Sequence, residues 1–396
     1  MAADIVPWLE LALRWLHVIT GIAWIGASFY FVWLDGNIRK VEGGNPLVAG
    51  ELWAVHGGGF YHNQKYLVAP EHLPPHLHWF KYEAYFTWIS GFLLLAVIYY
   101  LGADIFLIDK AKLALDSPEA IAISLAFLAG GWLVYDGLCR SPLGKDGIVF
   151  GTLWFAILVA AAYALALIFS DRAAYLHVGA IVGTAMVANV FFVIIPNQKK
   201  VVAAMLAGEM PDARLGLQAK QRSLHNNYMT LPVLLIMISN HYPMLYAGGI
   251  GWLVLAALSV SGIMIRHVFN LRHKGEINGL LAFGAVLVFV ATMFIAISLQ
   301  HRGETVPTAP VPFATARAIL DRHCVMCHSA HPTHAGVSVP PLGLDFTDDA
   351  AVERNAARIL FQAVTTKAMP LGNETRMTDA ERATLGAWIR QGAQIP

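Results

Sequence analysis

Long apolar runs separated by short polar stretches fill the first three quarters of the chain. An α-helix needs about 20 apolar residues to cross the ~30 Å hydrocarbon core of a bilayer. Eight runs approach that length, at about 8–34, 82–102, 117–136, 148–170, 174–196, 223–241, 244–264 and 277–300. The sixth run is the weakest, because Asn226, Asn227, Pro232 and Asn240 interrupt it. The pattern predicts an all-α, polytopic membrane helix bundle of about eight spans.

Beyond residue 300 the chain becomes polar, and we expect three parts. Residues 1–302 are predicted to form an integral membrane domain. Residues 303–312 are rich in proline and favour a semi-rigid, extended linker. Residues 313–396 are enough for one small domain, in which Thr378 and Glu381 have the spacing of a helix capping box.

Composition supports the membrane assignment. The chain is 57% hydrophobic and 13% charged, whereas soluble domains are about 25% charged. Its formal net charge of +1 gives no reason to expect a nucleic-acid partner.

Basic residues are concentrated in alternate loops, which predicts the orientation. One set of loops and helix ends holds Arg39, Lys40, Lys65, Lys81, Arg140, Lys145, Lys199, Lys200, Arg214, Lys220, Arg222, Arg266, Arg272 and Lys274. The opposite set holds Lys110, Lys112 and Arg172. The positive-inside rule places the first set in the cytoplasm. We therefore expect a multi-pass protein of the bacterial inner membrane, with both termini and the C-terminal domain in the periplasm. Arg14 is the first basic residue, so we interpret the first span as a permanent helix rather than a cleaved signal peptide.

The C-terminal part contains the attachment motif for c-type haem, Cys324-Val325-Met326-Cys327-His328. In this motif both thiols bond to the haem vinyl groups and His328 ligates the iron. A zinc site would need a second cysteine pair, and the remaining cysteine, Cys139, is single. Met369 is the predicted second axial ligand, since methionine opposite histidine is common in cytochromes c. Weaker alternatives are Met377, His331 and His334.

Ionisable residues inside spans are costly and are candidates for function. Toward the outer side lie Arg14, His17, His177 and His241. His17 has two interpretations: a histidine bonded to a carbonyl of a neighbouring helix, or an axial ligand of a b-type haem with His177 as its partner. The pattern Leu16-His17, six residues, then Ala23-Trp24 resembles the first helix of the membrane-bound protoporphyrinogen oxidase family. That resemblance implies a role for His17 in haem binding.

Polar residues are denser at the helix ends predicted to face the cytoplasm. They are His78, Lys81, Glu83, Asp136, Arg140, His225, Asn226, Asn227, Tyr228, Arg266, His267 and Asn270. Each alone is explained as a helix-end group in the headgroup region. Together they would suit a planar, anionic substrate that forms hydrogen bonds. The first loop adds His56, His62, His72 and His76, which we expect in a folded cap over this pocket rather than in a metal site, because prolines break the spacing.

Two segments carry a wider resemblance. They are Val55-His56-Gly57-Gly58-Gly59-Phe60-Tyr61 and His78-Trp79-Phe80-Lys81-Tyr82-Glu83-Ala84-Tyr85-Phe86-Thr87-Trp88. With eight spans and a tethered haem motif, the chain resembles the bacterial membrane-bound urate hydroxylases (urate oxidases) of purine catabolism. The resemblance implies oxidation of urate to 5-hydroxyisourate. Electrons would pass through the fused cytochrome to a respiratory-chain acceptor, a soluble cytochrome c or a terminal oxidase, without forming hydrogen peroxide.

Urate is a flat monoanion near neutral pH, so its pocket should offer cations and amides. The predicted substrate ligands are Lys81, Arg140, Arg266 and Asn226. Its oxidation needs a proton acceptor, and the candidates are Glu83, His78 and His225. A direct electron transfer across about 30 Å of hydrocarbon would be slow. We therefore expect His17 and His177 to hold an intermediate haem b between the urate site and haem c.

Two functions from other classes remain open. The first alternative is a non-catalytic, membrane-anchored cytochrome c subunit that transfers electrons for a separate dehydrogenase. The dense polar group argues against this, because an anchor does not need it. A transporter with a redox sensor would show inverted repeats or paired broken helices, and the sequence has no convincing sign of either.

Overall fold

A computed structural model describes residues 2–300, 309–334 and 337–396. Most of the predicted linker, at residues 303–308, lies outside the described residues. The N-terminal part contains helices α1 Ala2–Asn37, α2 Tyr82–Leu95, α3 Ser117–Arg140, α4 Gly147–Ile168, α5 Asp171–Ala188, α6 Ile195–Leu206, α7 Ala213–Ile238, α8 Gly251–His273 and α9 Gly279–Gln300. Three π-helical turns accompany them, at Ala96–Tyr100, Ala103–Leu107 and Asn189–Ile194, and the last joins α5 to α6.

Seven helical segments in the described ranges are long and apolar enough to cross a membrane. The sixth predicted span is α7, which begins at Ala213 rather than near residue 223 and is more polar than the other seven. On α1, the apolar residues Trp8, Trp15 and Ile22 are 73%, 69% and 68% exposed. A continuous exposed apolar face of this kind suits lipid rather than water.

Helix α5 lies at the centre of the bundle. Twelve of its 18 residues are buried, whereas most residues of α1 are exposed or only partly buried. Helix α5 contacts α2, α3, α4, α7 and α8. The contact with α7 is close, since a Cβ on Gly179 would lie 2.5 Å from Ile236 Cγ2. The polar α7 is thus enclosed by more apolar helices.

The first loop contains a β-hairpin, which departs from the all-α prediction. Strands β1 Val48–His56 and β2 Gly59–Tyr66 pair antiparallel. Gly57 and Gly58 form the two-residue turn with φ of +58° and +79°, as a type I′ turn requires. The glycine triplet therefore makes a hairpin turn. The mainly helical class is otherwise confirmed.

The C-terminal part has its own apolar core. Helices α10 Phe313–His323, α11 Asp349–Arg354, α12 Ala356–Ile359 and α13 Asp379–Arg390 surround it, with a π-helical turn at Leu360–Thr365. Leu320, Val352 and Leu385 are fully buried there. The predicted capping box is present: Thr378 accepts from the Glu381 amide, and Glu381 accepts from the Thr378 amide. These side chains fix the start of α13.

Candidate functional site

The C-terminal end of α3, the π-helical turn Asn189–Ile194 and the middle of α7 share a buried hydrogen-bond network, which we call the Asp136 network. Asp136 Oδ1 accepts from Arg222 Nη2 at 2.7 Å. The amide of Asn189 donates to the Tyr135 hydroxyl at 2.9 Å and to Asn226 Oδ1 at 2.8 Å. The remaining member is His225, whose Nδ1 lies 2.9 Å from the Tyr135 hydroxyl. Because its charge is paired and its members bond to one another, the network joins three helices rigidly.

The network changes the interpretation of Arg140. Its Nε donates to Asp136 at 2.6 Å, but its side chain is 70% exposed. Arg222 is the buried partner of the same carboxylate, with a side chain 5% exposed. The role of Arg140 as a substrate ligand thus stays a prediction, and Arg222 is the buried arginine of this carboxylate. One signal could have indicated this: Arg222 and Asn226 are four residues apart and share a helix face.

A second buried polar group lies between α1, α7 and α8, and we call it the Arg266 group. It consists of Asn227, Arg266 and Asn270, with Phe29 beneath. Arg266 is 3% exposed, and its Nε donates to Asn227 Oδ1 at 3.0 Å. Asn270 Nδ2 donates to the same oxygen at 2.9 Å. The guanidinium carbon of Arg266 lies 3.9 Å from the centroid of the Phe29 ring, a cation–π contact.

The Arg266 group has unused hydrogen-bonding capacity. Within the described ranges, Arg266 Nη2, Asn227 Nδ2 and Asn270 Oδ1 are buried without a hydrogen-bond partner. Each buried, unsatisfied polar atom costs about 1–3 kcal/mol, so three in one group require an explanation. The group thus offers two donors, one acceptor and a cation that has no carboxylate partner among the described residues. A polar anionic ligand would satisfy all of them.

A tyrosine–histidine pair adjoins this group. The Tyr228 hydroxyl lies 2.6 Å from Nδ1 of His267. Tyr228 follows Asn227 on α7, and His267 follows Arg266 on α8. This pair is the titratable unit nearest in sequence to the unsatisfied atoms. The sequence placed Tyr228 and His267 among the polar residues of the predicted cytoplasmic helix ends, without a role in the site.

The other residues predicted for the site lie on α2 and the segment before it. His78 is exposed and packs edge-on against Phe80. The Lys81 amine lies over the Tyr82 ring, 4.8 Å from its centroid. Glu83 is half-buried in the first turn of α2. Within residues 2–300, no hydrogen bond or ion pair joins these three to the Arg266 group, and their roles stay predictions.

The two histidines predicted to bind haem b, His17 and His177, have polar partners. His17 Nδ1 lies 2.9 Å from Thr87 O and 3.2 Å from Ser90 Oγ. His177 is completely buried; its Nδ1 lies 2.7 Å from Ala173 O and its Nε2 2.7 Å from Ser124 Oγ. Binding of iron by His177 would require the Ser124 bond to break. Their role as haem b ligands stays a prediction. Among the described residues, no three His, Cys, Asp or Glu side chains cluster as for a metal ion, and this includes the histidines of the first loop.

The residues around the haem motif fit covalent haem. His328 Nδ1 lies 3.3 Å from Leu344 O, so Nε2 is the nitrogen that would meet an iron, the usual orientation of a ligating histidine. Cys324 and Cys327 are free and half-buried. Met377 is 3% exposed within the apolar core, whereas Met369 packs at its edge. The preference for Met369 as second ligand stays a prediction.

Comparison with known proteins gives one match. No curated protein and no solved structure matches the chain. Residues 3–298 match the family described as urate oxidase N-terminal. This range covers all nine helices of the N-terminal part except the residues at its two ends, together with both buried polar groups. The chain therefore belongs to the urate oxidase N-terminal family.

Proposed function

We propose that this protein is a membrane oxidoreductase that converts urate to 5-hydroxyisourate. Electrons pass to a haem c attached at Cys324 and Cys327, and then to a respiratory-chain acceptor, without forming hydrogen peroxide. The urate site faces the cytoplasm and the haem domain faces the periplasm of a bacterial inner membrane. Family membership supports oxidation of urate, and the long apolar helices support the membrane location.

The Arg266 group carries this proposal. Urate is flat and anionic, and carbonyl oxygens and ring N–H groups alternate around its edge. Nη2 of Arg266 and Nδ2 of Asn227 would donate to its oxygens, while Oδ1 of Asn270 would accept from a ring N–H. Arginine suits this task because its planar guanidinium is always charged and presents paired donors. Of the predicted substrate ligands, Arg266 is retained, and Asn227 and Asn270 replace Asn226, which belongs to the Asp136 network.

Formation of 5-hydroxyisourate adds a water oxygen to urate and removes two electrons and two protons. The Tyr228–His267 pair, whose members adjoin Asn227 and Arg266 in sequence, is the proposed proton acceptor. Burial of the Arg266 group excludes bulk water, so its charge acts at short range in a medium of low polarity. When bound, haem c supplies a one-electron acceptor outside the urate site. Arg266 holds the anion, and the amides of Asn227 and Asn270 orient its edge.

The proposal is tested by adding urate anaerobically to the oxidised, detergent-purified protein and following the haem absorption bands. We expect the c-type band to be reduced by urate. Reduction of a b-type band first would support the relay through His17, and a c-type band alone would remove that role. If urate fails to reduce haem that dithionite reduces normally, the protein is the non-catalytic electron-transfer subunit instead.

A further inference from the structure

A turn of the C-terminal domain contacts the membrane domain at very short range. The turn is Leu371–Asn373, two residues beyond Met369, and it packs on the π-helical turn Ala103–Leu107. A Cβ on Gly372 would lie 2.8 Å from Ile105 O and 3.7 Å from Ile108 O. Contacts under 3.0 Å are not tolerated, so backbone meets backbone here and no side chain fits between the domains.

A buried arginine holds this turn in place. Arg382 is 4% exposed. It donates to Met369 O at 2.6 Å, to Asn373 Oδ1 at 3.0 Å, and to Ala363 O. Hydrogen bonds from a charged donor are the stronger kind. The segment that carries Met369 and the segment that contacts the membrane domain are thus one rigid unit, fixed from within the C-terminal core.

A column of aromatic rings leads inward from the contact. Phe106 follows Ile105, and its backbone oxygen accepts from Ser170 Oγ at 2.8 Å. The Phe106 ring lies 6.3 Å from the Tyr99 ring, and Tyr99 lies 6.2 Å from His177, centroid to centroid. Tyr99 is 1% exposed and His177 is fully buried. The column therefore joins the domain contact to the buried core of α5 without an intervening gap of solvent.

We propose that the Leu371–Asn373 turn is a fixed electron-transfer docking surface, and that electrons leave the membrane domain from His177 through Tyr99 to Phe106. This inference rests on the proposed function. A haem bound at Cys324 and Cys327 would accept the two electrons of each urate one at a time, and the respiratory-chain acceptor would reoxidise it between the two transfers. The two protons stay on the side of the urate site. Because the docking partner belongs to the same chain, no diffusional encounter is needed for this step.

Two glycine variants test the docking contact. Gly372→Val places a side chain against Ile105 O. Gly343→Val is the matched control, because Gly343 also has a positive φ (+65°, against +58° for Gly372) but its Cβ would meet nothing within 4 Å. Both variants introduce the backbone strain of a left-handed residue, and only the first separates the domains.

Two measurements are made on the full-length protein: hydrogen exchange of residues 103–108, and the rate at which urate reduces haem c. We expect Gly372→Val to increase the exchange and to slow the reduction about tenfold or more, the equivalent of about 1.4 kcal/mol in activation free energy. Gly343→Val should stay near wild type in both. Equal behaviour of the two variants would overturn the docking surface. Absence of urate-driven reduction in the wild type would instead overturn the proposed function.

A third variant addresses the column and does not depend on how well Gly372→Val folds. Tyr99→Leu replaces the middle ring of the column with an aliphatic side chain at the same buried position. We expect unchanged exchange at residues 103–108, normal reduction by dithionite, unchanged urate binding, and slower reduction of haem c by urate. An unchanged rate with urate would show that electrons do not use this column.

Discussion

Two of the arginines that the structure describes in the membrane domain, Arg222 and Arg266, are buried, and their surroundings differ. Arg222 donates to the carboxylate of Asp136 at 2.7 Å. Arg266 contacts an amide oxygen and the face of Phe29, and its Nη2 has no partner within the described ranges. A buried cation is stable when it is paired. Arg222 is therefore explained by the fold, whereas Arg266 would be explained by the proposed urate ligand.

Replacement of Arg266 tests this distinction. We expect Arg266→Met to raise the KM for urate by about 10- to 100-fold, because hydrogen bonds to charged groups contribute about 1.5–3 kcal/mol. Arg272→Met, in the exposed last turn of the same helix, should leave KM within about twofold of wild type, since it removes only a solvated charge. KM is measured by urate-driven haem reduction. The same KM in both variants would exclude Arg266 as the anion ligand.

Asp136 offers a matched pair for stability. Asp136→Asn leaves Arg222 buried without its carboxylate, so we expect a loss of about 3–5 kcal/mol in unfolding free energy. Arg140→Gln removes only the exposed partner of Asp136, and we expect a loss of at most about 1 kcal/mol. Thermal unfolding in detergent compares the two. A large loss in Arg140→Gln would contradict the placement of Arg140 at the surface.

At the scale of single residues, the sequence indicated which polar residues would be buried together, but not how they divide into groups. It identified Arg266 and the row Asn226-Asn227-Tyr228, but selected Asn226. Adjacent residues on a helix point about 100° apart. Asn226 therefore meets Asn189 and Met186 O on the α5 side, while Asn227 meets Arg266 and Asn270 on α8. Which neighbour each one faces depends on helix packing, which a single sequence does not specify.

At the scale of elements, helix α13 depends on its capping box. Glu381 accepts from the Thr378 amide and hydroxyl, both at 2.8 Å, and lies 3.2 Å from His323 Nε2. These hydrogen bonds lower the pKa of Glu381 from its ordinary 4.5 to about 2. The Glu381 carboxylate therefore binds a proton less readily in the folded domain than in the unfolded chain.

The pKa of Glu381 sets a pH window for stability. The stability that the Glu381 carboxylate adds to the folded domain is fully present above about pH 4.5 and is lost as the pH falls toward 2. We expect Glu381→Gln to flatten the loss of stability of the C-terminal domain across this window. Acid unfolding, followed by the absorption of haem c, measures the effect. Identical acid unfolding of the variant and the wild type would show that the cap does not carry this pH dependence.

The helices themselves follow from the apolar pattern, but two elements do not. The hairpin was missed because this loop was interpreted only as a folded cap, whereas the alternation of Trp53 and Val55, paired with His62 and Phe60, is the signal of two strands. The early start of α7 was missed because residues 213–222 are too polar to be predicted as part of a membrane span. Tertiary contacts with α5, α6 and α8 support this helix instead.

At the scale of the whole molecule, the proposed orientation makes a direct prediction. In that orientation the hairpin would lie in the cytoplasm and the C-terminal domain in the periplasm. An epitope tag in the Gly57-Gly58 turn, an exposed loop tip that should tolerate insertion, is expected to survive protease added to intact spheroplasts. The C-terminal domain should be digested. Immunoblotting follows both, and digestion of the hairpin tag in intact spheroplasts would reverse the orientation.

The contact between domains was beyond reach of the sequence. Haem attachment was indicated by five consecutive residues, and the helix bundle by its apolar periodicity. The approach of Gly372 to Ile105 joins segments more than 260 positions apart, and neither segment has a pattern that refers to the other. Docking of this kind is a property of two folded surfaces.

The polar helix α7 has a consequence for how the protein is made. The membrane insertion machinery releases a helix into lipid when the helix is apolar enough on its own, and α7 alone among the long helices of the described N-terminal part does not reach that level. Its buried asparagines and Arg222 find partners on α3, α5 and α8. On the proposed arrangement, α7 must wait beside the earlier helices until α8 has been synthesised, and both then enter the bilayer together. Truncation of the nascent chain before α8 should leave α7 outside the membrane.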